Sequence, residues 1–287
     1  MTDYLLILLA DLLFASQFLM TKLYSARNPQ SALTSFAFSF GSEFVIFLYM
    51  AAFSGFAIVF TPFSLAMAAI TAVIMIAASY CSIAALKYIN LSLYSVFLML
   101  GGMLLPSLFG IIGADEPLTL GKVLCLILIG GSMVLGVEKT ATNKKGAVKY
   151  YILCFMLNGF NGIVAKIHTM YPALNTSSNN FIVLTSICVC VLTGVILLAN
   201  FRKTAPLFKD VKNLGCMAGY AVVHGVAQFL SLFTLERLPV SLQQPMVTGG
   251  VLGFSFLISV VMKEKQTKKS VISFILAILA ILAVTCL

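Results

Sequence analysis

The same residues recur near the end of each half of the chain, 148 positions apart: Gly101-Gly102, Glu116 and Thr119, then Gly249-Gly250, Glu264 and Thr267. Upstream, Phe14-Ala15-Ser16-Gln17 with Lys22 closes one apolar run, and Asn158-Gly159-Phe160-Asn161 with Lys166 closes another. Ser82, Leu86, Ile89 and Leu93 likewise match Ser231, Leu235, Leu238 and Leu242. Offsets that drift by only a few residues over whole halves are what loop insertions leave in an internal repeat. The chain therefore reads as a duplication, residues 1–140 and 147–287.

The solvent decides what such a duplication becomes. With 61% hydrophobic and 9% charged residues and a mean hydropathy of +1.06, the composition is that of a polytopic membrane protein. A helix needs ~20 apolar residues to cross a bilayer. Runs of that kind lie at 4–22, 33–53, 62–82, 91–113, 118–137, 148–167, 180–200, 214–233, 240–262 and 269–287. They are continuous and lack the period-two alternation of barrel strands. Five spans per half is an odd number, so the second half enters the membrane from the opposite side. The fold expected is an all-α membrane protein with ten transmembrane helices arranged as two inverted five-helix repeats, a recurring plan of secondary transporters.

Lys and Arg set the orientation. Fifteen of them, among them Lys22, Arg27, Lys87, Lys149, Arg202, Lys203 and Lys263, fall on one side of the ten spans, and only Lys122, Lys166 and Arg237 on the other. This bias places the basic side in the cytoplasm and both termini outside, in a plasma (cytoplasmic) membrane. No small-residue cleavage site follows the first span, so it is expected to be retained. The net charge of +9 is then cytoplasmic loop charge facing the lipid bilayer's anionic headgroups, with no soluble domain to carry nucleic-acid binding. All seven cysteines fall inside spans as small packing residues, and no CxxC pair or His-rich cluster suggests a metal or other cofactor. HExxH and GxSxG are absent, so no enzyme is expected. Asn175-Thr176-Ser177 matches a glycosylation acceptor in an uncharged, external loop.

Leu12-Leu13-Phe14-Ala15-Ser16-Gln17-Phe18 with Lys22 resembles the first helix of the drug/metabolite transporter superfamily, EamA-like branch. Glu116-Pro117-Leu118-Thr119 resembles that family's Gly-Glu-x-x-Thr turn, and Glu264-Lys265-Gln266-Thr267 is its echo. The chain departs from the family pattern in having Phe14 where a tryptophan is usual. It also has Gly102 and Gly250 where a proline is common, its own prolines standing at Pro106 and Pro245. Family members usually keep their termini in the cytoplasm, opposite to the charge distribution here. The resemblance implies a secondary transporter that moves a small metabolite or drug-like molecule by alternating access, as an exporter, with a proton as the coupling ion where there is coupling. A facilitative uptake carrier and a non-transporting membrane interaction protein stay open as alternatives, as does a homodimer.

Mechanism is sought among the polar residues inside spans. A charged side chain at the centre of a span costs on the order of 3 kcal/mol, so an acid there is a functional candidate. Asp11 and Glu43 qualify as coupling residues. Asp11 shares a helical face with Phe14, Phe18 and Lys22, and a carboxylate in a dry surrounding favours its protonated form. The competing reading is an acid that only bonds neighbouring helices. Lys22 and Lys166 close corresponding spans, where a lysine suits the negative end of the helix dipole; the resemblance makes them contacts for an anionic group or a neighbouring acid. Gln17, Tyr80, Tyr94, Ser95, Asn158, Asn161, His224, Gln228, Gln243 and Gln244 are substrate-cavity candidates. His224 and Gln228 are one helical turn apart, and Pro245 frees backbone groups beside the glutamine pair. Singly each could be interhelical glue; together they mark the walls of the cavity that the resemblance implies. Gly101, Gly102, Gly249 and Gly250 read either as flexing points or as sites of close helix packing. Glu116 and Glu264 are expected to cap the helices that follow them.

Overall fold

The computed structural model describes residues 2–88, 91–113, 120–121, 123–124, 127–128, 130–131, 147–235, 240–264 and 267–286. Among these every regular element is a helix: α1 Thr2–Arg27, α2 Ala32–Phe53, α3 Pro62–Ala85, α4 Leu91–Gly113, α5 Ala147–Met170, α6 Ser178–Ala199, α7 Phe201–Lys209, α8 Val211–Leu235, α9 Val240–Val261 and α10 Lys268–Cys286. Helices α1, α2, α3, α5, α6 and α8 are long and apolar enough to cross a membrane. Among the described residues α4 and α9 carry shorter apolar stretches, Leu93–Pro106 and Met246–Val261. The chain is thus a membrane-embedded helical protein. The expected fifth span, 118–137, lies mostly outside the described residues. One helix, α7, is additional to the spans read from the sequence.

Local chemistry sets the helix ends. Ser31 caps α2 by accepting from Thr34 N at 3.1 Å, and Thr61 caps α3 by accepting from Ser64 N at 3.1 Å, with Pro62 in the first turn. Each such cap contributes about 1 kcal/mol. Helix α2 stops at Gly55 (φ 59°), where Phe56 N reaches back to Ala51 O at 2.7 Å.

Helix α1 packs against α8 and α9, and α5 packs against α3 and α4. Helix α2 lies on α6, and α4 lies on α9, which also carries α10. The contact between α4 and α5 is a seam of small residues. Gly101 faces the Phe155 backbone, Gly102 faces the Asn158 side chain, and Gly159 and Gly162 face Leu105 and Pro106. Pro106 lacks the N–H that would bond Gly102 O. The bare α-carbon of Gly162 approaches this freed carbonyl: a Cβ there would stand 3.4 Å from it. Large apolar side chains such as Phe53, Val195, Leu198 and Val261 point outward. That is stable against lipid tails, which are as apolar as the interior.

Connecting segments meet in two groups. At one end Asn28 bonds Asn213 at 2.9 Å, Arg27 pairs with Asp210 at 3.6 Å, Lys87 donates to Asn28 O at 2.6 Å, and Gln30 donates to Tyr150 OH at 3.0 Å. At the other, Ser64 Oγ is 3.0 Å from His168 Nε2 and accepts from Thr176 N at 2.9 Å, while Thr61 donates to Leu174 O. The first end holds α7, whose Leu207 and Phe208 turn into a core cluster built on Tyr24, Phe38 and Met217. Its Phe201, Arg202, Lys203 and Lys209 are exposed.

Candidate functional site

Asp11 lies in the middle of α1 and is completely buried. Its carboxylate rests on the α-carbon of Gly250 in α9, where any Cβ would collide with it. Among the described residues neither Asp11 oxygen has a hydrogen-bond partner. A buried ionised carboxylate without partners is among the costliest groups a protein can hold. Glu43 differs: it is buried at the α2–α6 contact and accepts a hydrogen bond from the Ser186 hydroxyl at 2.7 Å. Of the two acids read from the sequence, Glu43 is partnered and Asp11, among the described residues, is not.

Six residues further along α1, Gln17 and His224 meet through Gln17 Oε1 and His224 Nδ1. An amide oxygen only accepts, so Nδ1 is the donor in this contact. The imidazole stacks on Tyr220 at 5.3 Å between centroids and meets the edge of Phe14 at 6.1 Å. Tyr220 continues to Phe38 at 5.1 Å. The sequence reading missed Tyr220, although its place four residues before His224 puts both rings on one face of α8.

Across α1, Phe18 meets the edge of Tyr94 at 5.4 Å, and the Tyr94 hydroxyl donates to Ser82 Oγ at 2.8 Å. Ser82 in turn lies 4.0 Å from Cys154 Sγ. Asn158 donates to Leu98 O at 2.6 Å. Tyr80 approaches Tyr150 edge-on at 6.3 Å, at the end of the bundle that holds Gln30. Ser95 is fully buried, and Asn161 and Gln228 are partly exposed. The side chains of Gln243 and Gln244 lie outside the described residues, as does Glu116. The candidates thus separate. Asp11 meets α9, Gln17 meets His224 of α8 and Phe18 meets Tyr94 of α4, all around α1, whereas Tyr80 and Asn158 belong to contacts of α3 and α4 with α5.

Two expectations need correction. Lys22 and Lys166 are not terminal residues of their helices, because α1 continues to Arg27 and α5 to Met170. Lys22 keeps to the face of α1 that carries Asp11, toward α9, and there forms an ion pair with Glu264 Oε1. Glu264 does not cap the helix that follows it. Its Oε2 accepts from Leu91 N at 2.8 Å, the first residue of α4, and from Ser259 Oγ. Of the glycines, Gly101, Gly102 and Gly250 are close-packing sites, while a Cβ at Gly249 would meet nothing among the described residues within 4 Å. The Asn175 amide donates to His168 O at 3.0 Å, so the nitrogen of the glycosylation pattern is engaged in the fold.

No protein-family model matches the chain, and no curated protein matches it. A solved structure described only as "Crystal structure of protein" matches over 99% of this chain and 96% of its own length, with a TM-score of 0.62 at 14% identity. At that identity the likeness establishes a shared fold.

Proposed function

We propose that the protein is a ten-helix secondary transporter of the drug/metabolite type, built from two inverted five-helix halves. It exports a small metabolite or drug-like molecule by alternating access, with Asp11 as the proton-coupling residue. The observation that carries this reading is Asp11: fully buried, unpartnered among the described residues, and seated where a helix of the first half touches a helix of the second. An intramembrane acid kept at such cost marks a proton or substrate pathway.

The packing pattern supports the architecture. Exchanging each span with its counterpart in the other half turns the contacts of α1 with α8 and α9 into those of α5 with α3 and α4, and maps α2 with α6 and α4 with α9 onto themselves. A pseudo-two-fold relation has this property, and transporters with inverted repeats bind substrate between the related halves. The end that carries Arg27, Lys87, Arg202, Lys203 and Lys263 is assigned to the cytoplasm by the basic bias, which puts the N-terminus outside.

The test compares small molecules in the medium of cells making the wild type, cells making Asp11→Asn at matched membrane levels, and empty-vector cells, by untargeted mass spectrometry. A compound that accumulates outside only with the wild type is the expected result and names the substrate class. Equal accumulation with both forms would remove Asp11 from the mechanism. Profiles identical to empty vector in both would remove export.

A further inference from the structure

The junction of Lys22, Glu264 and Leu91 ties three helices at one point. Helix α9 ends in a reversal in which Lys263 N bonds Val260 O at 2.9 Å and Glu264 N bonds Ser259 O at 3.1 Å. This is the six-to-one and five-to-two pattern of a Schellman cap, and it requires a left-handed residue just past the helix. Lys263 fills that place with φ 56°, where glycine is the usual occupant. The reversal directs the Glu264 side chain back over the helix end, where Ser259 Oγ steadies it. One carboxylate oxygen then takes Lys22 of α1 and the other takes the free N–H of Leu91 at the start of α4. A carboxylate at a helix N-terminus also meets the positive end of the helix dipole. Both partners are largely withdrawn from solvent, with side-chain exposures of 18% for Lys22 and 11% for Glu264. Salt and water therefore weaken the pair far less than they would on an open surface.

Directly inside this junction lies a core cluster. Leu91, whose N–H the carboxylate holds, is part of it, with Phe18 one turn before Lys22, Val251 of α9, Tyr94, Cys81 and Cys154. We infer that Lys22 and Glu264 form a gate at the basic end of the bundle, which closes the space among α1, α4 and α9 when paired and opens it when parted. The inference rests on the transport reading, since a gate needs a pathway behind it, but its physical content is separable: pairing controls access to the cluster beneath. Lys166 and Glu116 are the sequence echoes of the two gate residues.

Native cysteines report the opening. Cys81 and Cys154 lie in the cluster under the junction, while the buried Cys216 belongs to a separate cluster around Tyr24 and Phe38. The experiment labels the full-length protein in membranes with a small methanethiosulfonate reagent and reads each cysteine by peptide mass spectrometry. In Glu264→Gln and Lys22→Gln, labelling of Cys81 and Cys154 is expected to rise about tenfold, the population change that follows loss of a charge-assisted hydrogen bond. Cys216 is expected to stay at its wild-type level, and Lys22→Arg, which keeps the charge, to stay closed. Unchanged labelling of Cys81 and Cys154 in inserted, folded variants would overturn the gate. An equal rise at all three cysteines would overturn it too, because it reports general loosening. A selective rise in a protein that exports nothing in the mass-spectrometric comparison would leave the gate standing and remove the transport reading.

Discussion

The carboxylate of Asp11 rests on the α-carbon of Gly250, and the second half of the chain repeats the arrangement with Asn158 against Gly102. In each case a polar side chain from the first helix of one half, α1 or α5, occupies the space over a bare backbone in the other half, in α9 or α4. A methyl group at Gly250 must displace the buried carboxyl group, and overpacking of that kind costs about 1–3 kcal/mol. At Gly249, one residue away, the methyl group would meet no atom of the described residues within 4 Å. Thermal unfolding in detergent is therefore expected to show a clearly lowered Tm for Gly250→Ala and a change within about 0.5 kcal/mol for Gly249→Ala.

Asp11→Asn is expected to act in the opposite direction on stability. Asn158 shows what an amide does in this setting: it donates to Leu98 O, four residues before its glycine, at 2.6 Å. Met246 stands four residues before Gly250, as Leu98 stands before Gly102, so an amide at position 11 is expected to donate to Met246 O. Replacing an unpartnered acid by a donor with an acceptor should raise stability by about 1 kcal/mol, the scale of an interhelical hydrogen bond. Proton-dependent flux should be lost at the same time. A raised Tm with lost flux separates mechanism from misfolding; a lowered Tm would mean that Asp11 holds the two helices together.

Much of the helix layout was legible because the bilayer imposes it. Continuous apolar runs set where α1, α2, α3, α5, α6 and α8 lie, although α1 and α5 continue beyond their runs to Arg27 and Met170, and Ser31, Thr61 and Ser177 mark helix starts in the usual way. Helix α7 was hidden because its apolar residues, Leu207 and Phe208, sit among Arg202, Lys203, Pro206 and Lys209, a composition that reads as a charged loop. The site was legible as a set of residues and not as a set of contacts. Asp11, Gly250, Gln17, His224 and Lys22 each stand out as polar or small residues in apolar runs. Their pairings join residues more than two hundred positions apart, as with Gln17 and His224 or Lys22 and Glu264. Only the packing of one half against the other creates them.

The Gln17–His224 contact predicts non-additive behaviour. Each single alanine substitution leaves the other polar group buried without its partner, and the double substitution removes the mismatch. A double-mutant cycle on Tm is expected to give a coupling of about 1 kcal/mol. His224→Ala should also shift substrate affinity or preference, because the ring it removes stands between Phe14 and Tyr220. Gln228→Ala, one turn away on α8, should alter substrate affinity without thermodynamic coupling to Gln17. Additive Tm changes for Gln17→Ala and His224→Ala would exclude their hydrogen bond as a contributor to stability.

Lys263 occupies a left-handed backbone position, φ 56°, that an L-residue with a Cβ adopts at a cost of about 1–2 kcal/mol. Glycine carries no such cost. The two backbone hydrogen bonds that define the reversal, from Lys263 N and Glu264 N, do not involve the Lys263 side chain. Lys263→Gly should therefore keep Glu264 aimed at Lys22 and Leu91 N while removing the strain. The flexibility of glycine in the unfolded chain offsets part of the gain. The expected net effect is an increase of roughly 0.5–1 kcal/mol, read as a higher Tm, with Cys81 and Cys154 as protected from thiol reagents as in the wild type. A higher Tm together with increased labelling would mean that the lysine side chain itself helps to close this end of the bundle. A lower Tm would mean that its contacts outweigh the backbone strain.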